Sequence, residues 1–187
     1  MGAAIITVVL AFVGYLVTYL NGLRLTQRQE RLARVNRQLS ELYGPLLALI
    51  EINSRMYTAF SERYPRPDGR SPLQHAPDEM PLTEEELVEW QLWVTTVFLP
   101  NLRFMRDVLV TKSDLLLETR MPQILVEVYA HASWDEISAA RWERGDHTLE
   151  QFPQPFPMVE IRHYIRDSFD RLKQEQAALL GRRRNHT

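Results

Sequence analysis

The sequence predicts an all-α protein in which a single N-terminal transmembrane helix precedes a cytoplasmic bundle of four or five helices. Three observations predict this fold: an uncharged apolar run near the N-terminus, apolar residues at helical spacing along most of the remaining chain, and no convincing alternating strand pattern. The chain has 187 residues, of which 45% are hydrophobic and 25% charged. One compact domain with an appendage fits that length.

Composition excludes several classes of function. The chain has no cysteine, so it forms no disulfide framework, thiolate nucleophile or Cys-ligated metal site. Its formal net charge is −2, which gives the whole molecule no field that attracts nucleic acid. No glycine-rich phosphate loop or G-x-S-x-G elbow occurs. We therefore expect no cofactor and no nucleic-acid partner.

The apolar run covers residues 1–23 and is predicted to be the membrane anchor. No charged side chain occurs from Gly2 to Leu23, and Ala3 to Leu20 is almost entirely apolar. Eighteen helical residues span about 27 Å, close to the roughly 30 Å of a bilayer's hydrocarbon. The first basic residue, Arg24, follows the run, which is unlike a cleaved signal peptide. A soluble core helix is the alternative, because eighteen residues is near the lower limit for a span.

Basic residues are concentrated on one side of this run. Five of them follow it at close spacing: Arg24, Arg28, Arg31, Arg34 and Arg37. The positive-inside rule then predicts that the C-terminal domain is cytoplasmic and the N-terminus outside. The same arginines are candidates for contact with anionic headgroups, although such charge often serves only as the topology signal.

A stripe at alternating spacings of three and four runs from the apolar segment into residues 24–44, the predicted stalk. Small residues dominate the stripe inside the predicted span, and Leu or Val dominates it outside, as helix association in lipid and in water would respectively favour. It indicates either a seam for self-association or a membrane partner, or packing of the outer part on the protein's own domain. The stripe comprises Ala4, Thr7, Ala11, Gly14, Thr18, Asn21, Leu25, Arg28, Leu32, Val35, Leu39 and Leu42.

Residues 45–181 are predicted to form the helical domain. Pro45 predicts a kink or restart, and the helix that follows should end near Tyr64. Five prolines in residues 65–81 predict a surface loop. Thr83 with Glu86 predicts a capping box at the start of a long helix, kinked near Pro100.

Further breaks divide the rest of the domain. Ser113 or Asp114 is expected to cap a helical start that Pro122 interrupts. A helix from Ile124 to about Arg144 should end at Gly145, with Val128, Ala132, Ile137 and Trp142 available for burial. A last helix should run from about Met158 to Leu180 and stop at Gly181, before the basic tail of residues 182–187.

Two spacings suggest metal chemistry. Glu127, His131 and Asp135 are four residues apart and share one helix face. Glu160 and His163 have the Glu-x-x-His spacing of di-iron bundles, which require a second copy that the chain lacks. The structural alternative is that Glu127 and Asp135 are solvated and His131 is hydrogen-bonded against a neighbouring helix. The second interpretation is favoured, so no metal ligand and no catalytic residue is assigned.

Short motifs give the chain a resemblance to known sequences. Leu42 to Leu46 reads Leu-Tyr-Gly-Pro-Leu, and it is followed in order by Met121-Pro122, Ala130-His131, Trp142-Glu143-Arg144-Gly145-Asp146 and Phe152-Pro153. This series resembles a set of uncharacterised bacterial proteins, some of which carry an N-terminal membrane anchor. The resemblance implies a bacterial source and no activity, cofactor or catalytic residue.

The function expected from these observations is that of a single-pass membrane protein whose cytosolic domain binds other proteins. It would be an oligomeric scaffold or an accessory subunit of a larger membrane complex. Its expected partners are the lipid bilayer and a protein, either a second copy or another membrane protein. The alternative is a membrane-tethered metalloenzyme that uses Glu127, His131 and Asp135.

Overall fold

A computed structural model describes residues 2–65, 83–146 and 156–181 of the chain; of residues 2–9 and 11 it describes only the backbone. Every regular element in these ranges is helical, as the sequence predicts. The elements are α1 (Gly2–Arg37), a π-helical segment (Gln38–Tyr43), α2 (Gly44–Arg63), α3 (Glu84–Trp93), a second π-helical segment (Val94–Phe98), α4 (Leu99–Thr111), a 3₁₀ turn (Ser113–Leu115), α5 (Gln123–Trp142) and α6 (Met158–Leu179).

The two π-helical segments each precede a proline and keep the helix continuous. The backbone N–H of Gly44 donates to the carbonyl of Leu39, and that of Leu99 donates to Val94. A proline lacks an N–H and its ring clashes with the carbonyl four residues earlier, so one wider turn relieves both problems. The expected kink or restart at Pro45 is thus a π turn within an uninterrupted helix from Gly2 to Arg63.

Four helices form the bundle, in a ring in which α2 contacts α4 and α6, and α5 also contacts both. α2 and α6 run antiparallel, because Arg162 of α6 bonds Ser54 while Arg166 bonds Glu51. Arg106 of α4 bonds Glu136 of α5. The main core fills this ring. It includes Val35, Leu39, Leu42, Tyr43, Leu46, Ile50, Leu102, Met105, Leu109, Leu125, Val128, Ala132, Ile161, Ile165 and Leu172.

A second, aromatic-rich cluster closes the end of the bundle where α2 finishes; we call it the distal cluster. The ring of Phe60 lies 5.1 Å from that of Trp90 and 5.5 Å from that of Trp93. Edge and tilted contacts between aromatic rings add to the stability that burial supplies. The cluster is built from Val94, Phe98, Leu99 and Ala139, with Met56, Tyr57, Trp90, Trp93 and Trp142 packed around it.

Several helix ends are where local sequence signals predict them. Thr83 Oγ1 accepts from the N–H of Glu86 at 3.2 Å, and the Glu86 carboxylate accepts from the N–H of Thr83 at 2.7 Å, which confirms the capping box. Gly145 and Gly181 have φ values of 82° and 72°, a conformation that disfavours residues with a Cβ. These two glycines end α5 and α6 as predicted.

Other boundaries differ from the sequence-based expectation. Ser113 and Asp114 begin only a 3₁₀ turn, and α5 starts at Gln123 directly after Pro122. The core begins at Val35, before the predicted domain boundary at residue 45. Most of the predicted loop, residues 66–81, and the basic tail, residues 182–187, lie outside the described residues.

Gly44 gives a test of the first π turn. A Cβ at this position would clash with the backbone oxygen of Leu39, whereas one on Gly22 would meet nothing within 4 Å. We expect Gly44→Ala to lower the free energy of unfolding by about 1–3 kcal/mol. The added methyl group would overlap a backbone oxygen, which cannot move aside by a change of rotamer as a side chain can. Chemical denaturation of the purified protein measures the change, with Gly22→Ala as the matched control. Equal stabilities for both variants would contradict this account of the turn.

Candidate functional site

The N-terminal part of α1 projects beyond the bundle. Every described side chain of α1 that precedes Leu32 is exposed, and no charged residue occurs before Arg24. Exposure is large even for big apolar groups, at 64% for Phe12 and 68% for Tyr15. The exposed apolar side chains of this segment, which we call the projecting helix (residues 10–25), are Leu10, Phe12, Val13, Tyr15, Leu16, Val17, Tyr19, Leu20, Leu23 and Leu25.

These apolar side chains cover most of the circumference of the projecting helix, and the remaining strip holds Gly14, Thr18, Asn21 and Gly22. Successive residues are about 100° apart, so the unbroken run Tyr15, Leu16 and Val17 already faces three directions. A helix that packs on one partner carries an apolar stripe and a polar face, whereas a helix that is apolar all round lies in a protein core or in lipid. An exposed apolar surface of this extent marks an interaction site.

Among the residues that the structure describes, no helix combines the length and the apolarity needed to cross a membrane. The predicted span, residues 3–20, lies partly outside the residues whose side chains are described.

The base of the projecting helix is held by the end of α6. Arg28 Nε donates to the backbone oxygen of Leu179 at 2.8 Å, and Arg31 Nε lies 2.6 Å from Glu175 Oε1. About one turn after Arg31 in α1, Asn36 Oδ1 accepts from Gln176 Nε2 of α6 at 2.7 Å. The Arg28 contact satisfies a carbonyl at the negative end of the α6 dipole. Thus α6 ends at the level of Arg28, and beyond it the described chain gives α1 no cover.

The next arginines of the series contact the 3₁₀ turn and the end of α4. Arg34 reaches the backbone oxygen of Asp114 at 3.4 Å, and Arg37 lies 3.3 Å from Glu41. Lys112 Nζ donates to the other oxygen of Glu41 at 2.7 Å, and this bond is the main reason that the pKa of Glu41 is lowered. The predicted membrane-surface arginines therefore differ in environment: the structure shows acceptors for Arg28, Arg31, Arg34 and Arg37, and Arg24 is exposed.

The predicted seam also divides into two parts. Val35, Leu39 and Leu42 are buried in the protein's own core, at 8% exposure or less, so the outer stripe packs on its own domain. Leu25 remains 57% exposed, and a Cβ on Gly14 would meet nothing within 4 Å. Ala4, Thr7 and Ala11 have side chains outside the description. The inner stripe thus remains a prediction.

A hydrogen-bonded tyrosine pair joins α6 to the segment before α5. The hydroxyl of Tyr43, which is fully buried, accepts from the N–H of Leu117 at 3.1 Å and lies within hydrogen-bonding reach of Tyr164 and Ser168. Tyr164 donates to Glu118 Oε2 at 2.8 Å. Burial is the main cause that raises the pKa of both tyrosines. They therefore stay neutral and act as hydrogen-bonding groups rather than bases.

Asp135 lies on the buried face of α5. It falls at spacings of three and four in the series Leu125, Val128, Ala132, Asp135 and Ala139, whose other members are all buried. Burial alone raises the pKa of Asp135 from 3.8 to about 7. Asp135 is half-buried, so its carboxyl group is less solvated than expected, and Ile137, which was expected to be available for burial, is 52% exposed.

Polar residues at the level of Asp135 separate the two apolar clusters. Along α5, Ala132 belongs to the main core and Ala139 to the distal cluster, with Asp135 between them. Along α2, Asn53 lies between Ile50 and the distal-cluster residue Met56, and it is 1% exposed. Its Oδ1 accepts from Asn101 Nδ2 of α4 at 2.7 Å. This bond pairs the side chains of two helices inside the bundle and so favours one register of α2 against α4.

The metal-like spacings do not assemble into a ligand set. In residues 2–65, 83–146 and 156–181, no three acidic or histidine side chains come together to hold a metal ion. His131 is 7% exposed; its Nδ1 lies 3.1 Å from the backbone oxygen of Glu127, and its ring meets the ring of Phe156 at 4.8 Å. Glu160 and His163 are both exposed on α6. His131 is thus buried and packed against Phe156, and the carbonyl beside its Nδ1 belongs to its own helix rather than to the neighbouring helix of the alternative interpretation.

Comparisons with protein-family models, with curated proteins and with solved structures found no match to this chain.

Asp135 gives a pH prediction. A folded-state pKa near 7 and an unfolded value near 3.8 mean that only the folded chain binds this proton between those pH values. The contribution of Asp135 to the free energy of unfolding therefore falls as pH rises from about 4 to about 7. We expect Asp135→Asn to remove this decline and to stabilise the protein at pH 8 by about 2–4 kcal/mol.

Urea unfolding at pH 5 and pH 8 measures this effect, and Asp167→Asn is the control because Asp167 is exposed on α6. A parallel pH profile for Asp135→Asn and the parent would show that burial does not perturb the carboxylate.

Proposed function

We propose that the protein is a single-pass membrane-anchored module that binds other proteins through its helical domain and its anchor. The observation that carries the proposal is the projecting helix, which exposes large apolar side chains around most of its circumference and lies outside the bundle. Water is an unfavourable solvent for that surface, since each fully exposed large apolar side chain forgoes about 1.5–3 kcal/mol of burial. A bilayer covers every face at once, which a partner with one docking face does not.

The distribution of charge supports the orientation. The only charged side chains between Gly2 and Glu30 are Arg24 and Arg28, and they lie at the end of the projecting helix nearest the bundle. Positive charge beside a span favours the cytoplasmic side of an inner membrane. The proposal therefore places the bundle in the cytoplasm of a bacterium and the far end of α1 outside.

Two features support a role in protein binding. Gly14 and Gly22 leave the surface of the projecting helix open to close backbone approach, and the hydroxyls of Thr18 and Thr26 bond back to the carbonyls of those two glycines. The bundle itself presents several separate exposed apolar side chains. These are Ile52, Val88, Leu92, Phe104, Val110, Ile137 and Val159.

Membrane retention tests the anchor. We expect the full-length chain to stay with membranes through alkaline carbonate and high-salt washes and to require detergent for release. The double variant Phe12→Arg/Leu16→Arg should appear in the carbonate supernatant, because each arginine at a span's centre costs about 2.5–3.5 kcal/mol. Fractionation followed by immunoblotting measures the distribution.

Phe104→Arg/Val110→Arg is the matched control, since it places the same two arginines on exposed apolar positions of the bundle. It should remain in the membrane fraction. A parent chain that carbonate releases completely would refute the proposed anchor.

Association within the membrane has its own test. Gly14→Leu fills the open surface of the small-residue stripe, so we expect it to lower the yield of crosslinked dimer in membranes severalfold. Phe12→Leu is the control, because it places leucine on roughly the opposite side of the helix. An unchanged crosslinking pattern for Gly14→Leu would place the contacts between copies elsewhere.

A further inference from the structure

Helix α3 is held to the bundle by few side chains. None of its residues is buried, and Val88 and Leu92 on its outer side are 60% and 55% exposed. On its inner side, the rings of Trp90 and Trp93 contact that of Phe60, which is fully buried. Among the described members of the two apolar clusters, these tryptophans are the two that α3 supplies.

The second π-helical segment, Val94–Phe98, directly follows α3 and combines several causes of helix bending. Four of its five residues are β-branched, which lowers helix propensity. Pro100 lies just beyond it and lacks a backbone N–H. Thr95 Oγ1 donates to the carbonyl of Gln91 at 2.8 Å, a contact that often bends helices. The long helix is therefore suited to bend immediately after α3.

A layer of polar residues separates the distal cluster from the main core. Asn53, its partner Asn101 and Asp135 lie between the two. Among the described residues, no buried side chain belongs to both clusters. Parts of a protein that share few buried apolar contacts can open separately, at a lower free-energy cost than global unfolding. The main core can therefore stay packed when contacts in the distal cluster break.

We propose that α3 is a lid that opens at the second π-helical segment and uncovers the distal cluster while the main core stays folded. Opening moves the rings of Trp90 and Trp93 away from α2 and uncovers Phe60 and Phe98, which are buried when the lid is closed. The closed lid thus keeps an aromatic surface from water and from other proteins. The lid does not depend on the proposed anchor, because every residue that it uses belongs to the bundle.

Exchange of backbone amide hydrogens reports the opening, because α3 is too short to persist as a helix on its own. Isolated helices shorter than about 12–15 residues are marginal in water, and α3 has 10 residues. Its internal hydrogen bonds are therefore lost when its contacts with Phe60 break. A minor state is typically populated at about 0.1–10%, which corresponds to amide protection of roughly 10- to 1,000-fold relative to an unfolded chain.

Hydrogen exchange followed by mass spectrometry tests the lid in the full-length protein in detergent micelles. We expect the amides of residues 88–93 to show protection of roughly 10- to 1,000-fold. Residues 46–50 and 102–109 of the main core should exchange at least about ten times more slowly. The boundary between fast and slow exchange should fall within Val94–Phe98. Equal protection of α3 and the main core, or a boundary elsewhere, would overturn the lid.

Alanine variants separate opening of the lid from general destabilisation. Trp90→Ala/Trp93→Ala removes the rings that hold α3, so exchange in α3 should rise by about tenfold or reach the unfolded rate, with the main core unchanged. Val88→Ala/Leu92→Ala is the matched control: it changes two exposed apolar residues of the same helix and should alter exchange in α3 by less than about twofold.

Three results with the tryptophan variant would contradict the proposal. Unchanged exchange in α3 would show that the two rings do not hold the lid. Faster exchange of the main core, or a variant that does not fold, would show that α3 and the main core form one cooperative unit.

Discussion

The main constraint on this structure is that the described bundle packs against only the C-terminal part of its longest helix, which runs from Gly2 to Arg63. From Val35 to Phe60, the continuous helix of α1, the π-helical segment and α2 supplies residues to the core. In the residues that precede Arg28, which lies beside the end of α6, every described side chain of the same helix is exposed, and most of them are apolar. The hydrophobic effect acts on both parts, but among the described residues only the part from Val35 onward is buried. The proposed bilayer would cover the other part.

Polar contacts determine where that change occurs. Arg28, Arg31 and Asn36 bond the last turns of α6, and Arg37 with Lys112 engages Glu41 where α4 ends. Exposed ion pairs of this kind each contribute little to stability. These contacts instead fix the position of α1 along α6 and along the end of α4, because each joins two defined residues. The arginines from which the sequence predicts a membrane topology also connect the projecting helix to the bundle.

Local rules predicted much of the fold. The capping box at Thr83 and the terminating glycines at Gly145 and Gly181 depend on neighbours within a few residues, which a sequence displays directly. The sequence predicts only kinks at Pro45 and Pro100. It does not predict the π turns, because the hydrogen bond to the carbonyl five residues earlier depends on how the continued helix packs. The return of α6 to Arg28 involves contacts across about 150 residues and leaves no local signal.

The projecting helix and the site around Asp135 also differ in how far the sequence predicts them. The projecting helix could be predicted from its uncharged apolar run, whereas the environment of Asp135 could not. Of the residues predicted for burial on α5, Val128 and Ala132 are buried, whereas Ile137 is 52% exposed. Ala132 packs in the main core and Ala139 in the distal cluster. Asp135 lies between them on the same face of α5, so helix geometry turns it toward the interior.

Depth measurement by spin labelling tests the central claim most directly. Single cysteines at Phe12, Leu16, Leu20 and Leu25 of the reconstituted chain, each carrying a nitroxide, report collision with oxygen, which concentrates in lipid, and with a polar nickel complex, which stays in water. The account predicts oxygen-dominated collision at Phe12 and Leu16 that gives way to nickel-dominated collision by Leu25, with Phe104 on the bundle as the aqueous reference. Nickel-dominated collision at all four α1 positions would contradict it.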